Sequence, residues 1–507
     1  MIEVILSDKA YENDVYSLVK AFYPEESIKV YSVTEYELTG QISEKGAQED
    51  TGASNKDNNL LCIKIDFLPE IIELAFVMKD HHRSSDQLTL AKSLVKSEYK
   101  NALKRFLYQK LSSLTGRELP WGILTGIRPT KLVYELLELG VTESDIYHRM
   151  RSEYLCSDEK IAMSLEIAQR ELKLLNELDY REGYSLYIGI PFCPSTCLYC
   201  SFTSYSASKY SDYIEKYLSA LEKELRSLAD CLPGKKLQTV YLGGGTPTTL
   251  TAEQLDRLLA LVKEQFDFTY VREFCVEAGR PDSITFTKLE VLKKWGVDRI
   301  SINPQSMQQK TLDLIGRMHS IEQVKEAFHM ARDAGHDNIN MDIIIGLPGE
   351  KPEDVADTLR QINELNPESL TVHTLAIKRA ARLNTMKENY TENKATEVPR
   401  MLEQTIQFAK ENDYLPYYLY RQKNMADNLE NIGYARYGRE GLYNILIMEE
   451  KQTILALGAG GMSKFIFHKE NRLERVDNVK SVLDYINRID EMIERKKNFI
   501  KENLSDL

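Results

Sequence analysis

The chain has 507 residues, of which 43% are hydrophobic and 28% charged, and carries a net charge of −12. That length exceeds what one compact core supports and implies two or three domains, while the composition is that of a soluble globular protein. The acidic balance argues against nucleic acid as the main partner, because phosphate binding needs clustered Lys and Arg.

The N-terminal "MIEVILSDKAYEND" has no basic segment leading into an apolar run and does not read as a secretion signal. No apolar stretch approaches the roughly eighteen residues that span a bilayer. Seven cysteines, unevenly spread, do not form a disulfide framework. They suit a reducing, cytoplasmic setting in which thiols are available to bind metal.

In chain order, "MIEVILS", "SIKVYSV", "LLCIKIDF" and "ELAFVM" read as short strands, with "KAYENDVYSLVKAF" as a helix among them. Residues 43–58 are polar and rich in Gly and Ser, the composition of a mobile loop. A long helix is expected through "DQLTLAKSLVKSEYKNALKRFLYQKLSSL". Residues 1–180 are therefore expected to form an α/β extension followed by helices.

From residue 184 the rhythm becomes regular strand–helix alternation. The strand candidates are "SLYIGIP", "QTVYLGG", "EFCVEAG", "VDRISIN", "NINMDIIIG" and "SLTVHTL". Amphipathic helices lie between them, such as "SDYIEKYLSALEKELRSLAD" with Ile214, Leu218, Leu221 and Leu225 at helical spacing. This alternation predicts a parallel sheet with helical crossovers, and periodicity alone does not separate a curled partial barrel from a doubly wound sheet. The strand ends favour the barrel: they carry Cys193, Gly243 to Gly245, Glu277, Asn303 with Gln305, Asp342 and His373, and barrel chemistry collects at the C-terminal ends of strands. The expectation is an α/β fold, with a partial (β/α)6 barrel over 181–385 and an α+β region over 386–507 that closes over it. Within that last region "YNILIMEEKQTILALGAGGMSKF" reads as a hairpin leading into a glycine-rich turn, and residues 478–507 as a charged amphipathic helix.

The densest chemical signal is "YIGIPFCPSTCLYCSF", residues 187–202, with Cys193, Cys197 and Cys200 at the exit of the first barrel strand. Structural zinc would want a fourth ligand, and the next cysteine, Cys231, lies beyond a predicted helix. Three thiolates suit a [4Fe–4S] cluster that leaves one iron open, since cluster proteins otherwise use four. An open iron can chelate the amino and carboxylate groups of S-adenosylmethionine.

The CxxxCxxC spacing at the exit of strand one resembles the radical S-adenosylmethionine superfamily. The ordered set "YIGIPFCPSTCLYCSF", "YLGGGTPTTL", "VEAGRPDSIT", "RISINPQSM", "IGRMHS" and "NMDIIIGLPGE" is similar to the oxygen-independent coproporphyrinogen III dehydrogenase family, and the N-terminal extension with "GILTGIRPTKL" to its HemZ type. The resemblance implies that Cys193, Cys197 and Cys200 are the catalytic cluster ligands. It places Tyr187, Tyr199, Gly244, Gly245 and Thr246 at S-adenosylmethionine, the glycines cradling the methionine amino group. It gives Glu277 the ribose hydroxyls, assigns Gln305, Arg317 and Asp342 to the same ligand, and sets Phe202 near the adenine. Read by residue type alone, the glycines can also be a plain turn, Glu277 a solvated carboxylate and Phe202 a core aromatic. A charge within "NINMDIIIGLP" is costly to bury without a partner, so a ligand explains Asp342 better. Gly458, Gly460 and Gly461 are either part of a second cofactor or substrate pocket or a tight turn.

The implied reaction is oxidative decarboxylation of coproporphyrinogen III to protoporphyrinogen IX. A 5′-deoxyadenosyl radical would take a hydrogen from a propionate β-carbon, after which carbon dioxide and one electron leave. The implied partners are a tetrapyrrole substrate and a flavodoxin- or ferredoxin-type electron donor. Arg421 and Lys423, among aromatics in "YLYRQKNM", are candidates for the propionates or a solvated charged face. Three departures are visible. Phe202 stands where the best-known oxidases carry a fourth cysteine, a Phe shared with the haem-chaperone branch, and Gly189 stands where they carry His. "LYNILIM" keeps Asn444 but lacks the His and Trp of the haem-chaperone branch. A haem chaperone, a radical enzyme for another tetrapyrrole and a zinc-bound structural protein are the alternative readings.

Overall fold

Alternating apolar residues build the first sheet. In Ile2–Leu6 (β1) and Leu61–Phe67 (β3), Ile2, Val4, Leu61, Ile63 and Ile65 are buried, the period-two pattern of a half-buried strand. β1 pairs in parallel with Ile28–Ser32 (β2) and with β3, and Ile71–Met78 (β4) and Arg83–Thr89 (β5) extend the sheet antiparallel. The helices Glu12–Phe22 and Lys96–Thr115 meet through Phe22 and Tyr108, whose ring centroids are 5.2 Å apart. The long helix expected from residue 86 thus begins only at Lys96. Arg83–Thr89 is an exposed strand held by backbone pairing to β4, a partner that local periodicity does not reveal.

The structure is a computed structural model describing residues 1–37, 60–79, 82–91, 94–126, 128–200, 204–375, 397–421 and 429–504. The loop expected at 43–58 lies outside them. The chain divides into two compact units, Met1–Leu165 and Glu166–Leu507. Among the described residues no helix is long and apolar enough to cross a membrane.

The second unit is built on six strands in chain order: Gly183–Ile190 (β6), Lys236–Gly244 (β7), Glu273–Gly279 (β8), Arg299–Ile302 (β9), Ile339–Ile345 (β10) and Ser369–Thr374 (β11), each parallel to the next. Their order never reverses. Right-handed crossovers between strands in unbroken order put the intervening helices on one face, whereas a doubly wound sheet needs a reversal. The sheet is the open, curled (β/α) architecture the strand ends favour.

The C-terminal residues extend both edges. Thr453–Leu457 (β14) lies parallel beside β6 and continues antiparallel into Met462–Phe467 (β15) and Arg472–Asp477 (β16). At the other edge Asn431–Ala435 (β13) pairs antiparallel with β11, and Leu415–Tyr420 (β12) pairs with β13. The hairpin expected from Tyr443 onward is corrected in one respect. Leu442–Glu449 is a helix, and the hairpin is β14–β15 with Gly458, Gly460 and Gly461 in its turn. The cause is tertiary: the Glu273 carboxylate accepts from the backbone N–H groups of Leu442 at 2.8 Å and Tyr443 at 3.1 Å, capping that helix from β8. The single helix expected over 478–507 is instead two, Val482–Asn487 and Ile489–Asn503, the first starting after its Ser481 cap and the two separated by the non-helical backbone of Arg488.

Candidate active site

Strand register sorts the barrel residues into two faces. Tyr187 pairs with Tyr241, Tyr241 with Cys275, Glu277 with Ser301, Ser301 with Asn340, and Asp342 with Thr371. Because side chains alternate, these residues and His373, two beyond Thr371, share one face. The alternate set, Leu186, Ile188, Val240, Leu242, Val276, Ile300, Met341 and Leu370, is fully buried on the other. One face of the sheet is therefore the apolar floor and the other a line of polar groups.

The cysteines leave β6 on a loop stitched to its neighbours. Gly245 N–H donates to Ile190 O and Thr246 N–H to Phe192 O, both at 2.8 Å, while the Thr246 hydroxyl reaches Cys193 Sγ at 3.5 Å. A Cβ at Gly245 would lie 2.6 Å from Phe192 O and 3.0 Å from Cys193 Sγ; Gly244 has φ +113°, open to glycine. The close approach these glycines allow is first of all to the chain itself, bringing β7 against the root of the cysteine loop. Leu198 N–H donates to Ile315 O at 3.0 Å, and the Arg317 guanidinium donates to the Tyr199 hydroxyl at 3.1 and 3.2 Å and to Asn303 O at 2.7 Å. Arg280, 3% exposed, donates to Ser195 Oγ at 2.9 Å and to Cys197 Sγ at 3.6 Å. Burial pushes the Cys193 thiol up to about 11, with Cys197 and Cys200 adding to the shift. A thiol in that state ionises when a metal displaces its proton.

The carboxylates stand across from this loop. Tyr241 Oη donates to Glu277 Oε1 at 2.5 Å. Burial raises Glu277 to about 7, against the Tyr241 bond and with help from the Asp342 charge. Burial also acts to raise Asp342, but His373 at 3.8 Å together with Asn340 and Thr371 outweighs it and holds that group below the ordinary carboxylate range. Gln305 is held at φ +68°, unusual for a residue with a Cβ, by its N–H to Asp342 O at 2.9 Å and its carbonyl to Ile344 N–H at 2.8 Å. Its buried Oε1 has no hydrogen-bond partner among the described residues, nor has Asn303 Oδ1. A strained backbone presenting an unsatisfied amide is an arrangement that a ligand completes.

The structure thus gathers the loop of Cys193, Cys197, Cys200 and Tyr199 with Gly244, Gly245, Thr246 and Arg317 on one side, and Tyr187, Glu277 and Asp342 along the polar face, while Gln305 lies beyond the exit of β9, bonded through its backbone to β10. Phe202 and Lys423 lie outside the described residues. Arg421 is buried, at 2% exposure, and so is not part of a solvated face. Sequence reasoning passed over Tyr241, Tyr443 and Arg280. Tyr241 was legible from its place two residues before Gly243 on an alternating strand. Tyr443, whose ring stacks on Tyr241 at 4.4 Å, and Arg280 reach the site only through tertiary contacts.

The donor set fits an iron–sulfur cluster with S-adenosylmethionine. Among the described residues no three His, Cys, Asp or Glu side chains converge on the point that a single ion needs. Thiolates of a [4Fe–4S] cluster bind different irons, and three cysteines on one loop can serve such a cluster with one iron left open. The orphaned amide of Gln305, two carboxylates and a guanidinium match an amino acid and a ribose diol.

A model of the radical S-adenosylmethionine superfamily matches residues 187–362. Over 430 residues the chain is 41% identical to the oxygen-independent coproporphyrinogen-III oxidase-like protein HemZ of Bacillus subtilis (strain 168), covering 84% of this chain and 86% of that one. It is 35% identical over 195 residues to the haem chaperone HemW of the same organism, covering 38% of this chain and 51% of HemW. The radical S-adenosylmethionine enzyme coproporphyrinogen III oxidase (HemN) from Escherichia coli has the same fold, with a TM-score of 0.51 at 24% identity over 64% of this chain and 73% of that one. Proteins of this superfamily use a [4Fe–4S] cluster and S-adenosylmethionine, and these are the cofactors of this chain. A match of this level over most of both sequences places the chain in the radical S-adenosylmethionine superfamily and, within it, in the HemZ-like branch of the oxygen-independent coproporphyrinogen III dehydrogenase family.

Proposed function

We propose that the chain is an oxygen-independent coproporphyrinogen III dehydrogenase, a radical oxidoreductase that converts propionate side chains of coproporphyrinogen III to the vinyl groups of protoporphyrinogen IX. Cys193, Cys197 and Cys200 hold the cluster, and Tyr187, Tyr199, Phe202, Gly244, Gly245, Thr246, Glu277, Gln305, Arg317 and Asp342 bind S-adenosylmethionine. Residues 181–385 carry both, residues 386–507 cover the substrate, and a flavodoxin- or ferredoxin-type donor serves the site in a reducing cytoplasm.

The observation that carries this reading is the convergence of a three-thiol loop with the polar face of the sheet, where Glu277 and Asp342 lie, together with the buried, unsatisfied Gln305 amide beyond the exit of β9. When bound, the cluster and cofactor supply one-electron cleavage of a carbon–sulfur bond. The chain's own part is orientation. Tyr241 fixes the Glu277 carboxylate, Asn340 Nδ2 donates to Asp342 Oδ1 at 2.7 Å, and Arg317 ties Tyr199 to the exit of β9. Each acceptor is thereby held in place before a ligand arrives.

A second observation favours the enzyme over the chaperone. The segment that carries His and Trp in the chaperone branch is here the helix Leu442–Glu449, capped by Glu273, with Tyr443 buried in a stack with Tyr187 and Tyr241. It offers no imidazole to haem. The test is an anaerobic assay of the reconstituted protein with S-adenosylmethionine, reductant and coproporphyrinogen III, read by mass spectrometry. Joint appearance of 5′-deoxyadenosine and decarboxylated tetrapyrrole, lost in Cys197→Ala, is expected. Deoxyadenosine alone would discard this substrate, and neither product with haem retained would select the chaperone.

A further inference from the structure

The sequence segment "VEAGRPDSIT" contains an arginine that the reading above leaves without a role. Arg280 follows the last residue of β8, Gly279, and is 3% exposed. Its guanidinium has two sides. Nε and Nη2 form a fork with the two oxygens of Asp282, at 2.9 and 2.6 Å. Nη1 turns to the cysteine loop and donates to Ser195 O at 3.0 Å, Ser195 Oγ at 2.9 Å and Cys197 Sγ at 3.6 Å. A buried guanidinium keeps its charge, and the Asp282 fork fixes its plane so that Nη1 has one direction left. Among the described residues no other group donates a hydrogen bond to the Cys197 sulfur.

We propose that Arg280, oriented by Asp282, is a positioning residue that locks the middle of the cysteine loop and donates a charge-assisted hydrogen bond to the Cys197 thiolate, raising the reduction potential of the cluster held there. The inference rests on the reading that the three cysteines hold the cluster. The physical basis is that hydrogen bonds to ligand sulfur, and a fixed positive charge beside it, favour the more negative reduced state. The lock has a separate basis: three hydrogen bonds from one buried group hold Ser195 and Cys197 in register with the exit of β8.

The full-length protein is reconstituted anaerobically with iron and sulfide as wild type, Arg280→Gln, Arg280→Lys and Asp282→Asn. Bound iron, the potential at which the reduced-cluster electron paramagnetic resonance signal appears, and the rate of iron loss to a chelator are then measured. Arg280→Gln should bind the cluster, shift the potential to more negative values and release iron several-fold faster. Arg280→Lys keeps the charge but cannot fork, so it should recover part of the potential and little of the chelator resistance. Asp282→Asn should lie between wild type and Arg280→Gln. Wild-type potential and chelator rate in Arg280→Gln would overturn the proposal; should that variant not fold, the same two results in Asp282→Asn would do so. A wild-type protein that binds no cluster would overturn the three-cysteine reading itself, and this inference with it.

Discussion

Lys496 Nζ lies 2.6 Å from Oε1 of Glu224, and neither side chain is exposed. Lys496 also donates to Ala456 O at 2.7 Å, while Glu224 accepts from the Gly458 N–H at 2.9 Å and the Tyr485 hydroxyl at 2.5 Å. One buried pair therefore joins the final helix, the helix Ser211–Leu228 and the turn between β14 and β15. That turn packs on β6, since a Cβ at Gly458 would stand 2.5 Å from Gly189 O.

Removing one partner of such a pair leaves the other charge buried alone, at a cost of about 3–5 kcal/mol. Lys496→Met should destabilise the second unit by that amount in denaturant titration, and Lys496→Met with Glu224→Gln by less. A single variant within about 1 kcal/mol of wild type would show that the pair contributes little.

At Gly245, a Cβ would meet Phe192 O and the Cys193 sulfur. Gly245→Ala should cost about 1–3 kcal/mol, the usual penalty of overpacking, and should lower iron and sulfide content after reconstitution. Full cluster content in the alanine variant would mean that the loop can move aside.

The raised Glu277 makes a pH prediction. Its carboxyl titrates near 7 in the folded chain against 4.5 ordinarily, so between those values the folded state binds the extra proton and stability falls as pH rises. Asp298 and Glu350, both raised to about 7, act the same way, so the measurement is a difference. Relative to wild type, cofactor-free Glu277→Gln should gain stability from pH 5 to pH 8 by about 3 kcal/mol at most. A difference that does not vary with pH would contradict a buried, proton-holding Glu277.

Arg421→Ala should raise the KM for the tetrapyrrole about tenfold, the equivalent of one lost charged hydrogen bond, with cluster content unchanged. An unchanged KM removes Arg421 from substrate binding.

Much of this molecule was legible from the sequence because its signals are local. Strand–helix alternation fixed the six parallel strands, and a three-thiol motif at a strand exit pointed to an open cluster. Polar residues at strand ends marked the face on which chemistry gathers. What the sequence could not decide depends on partners far along the chain. Arg83–Thr89 is a strand only because β4 pairs with it, and Leu442–Glu449 is a helix because Glu273 caps it. Tyr443 reaches the stack of Tyr187 and Tyr241, and Arg280 reaches Cys197, only when the sheet has curled. Hydrophobic periodicity reports which face of an element is buried, but the groups that meet across a concave sheet are set by strand order and register, which exist only in the folded chain.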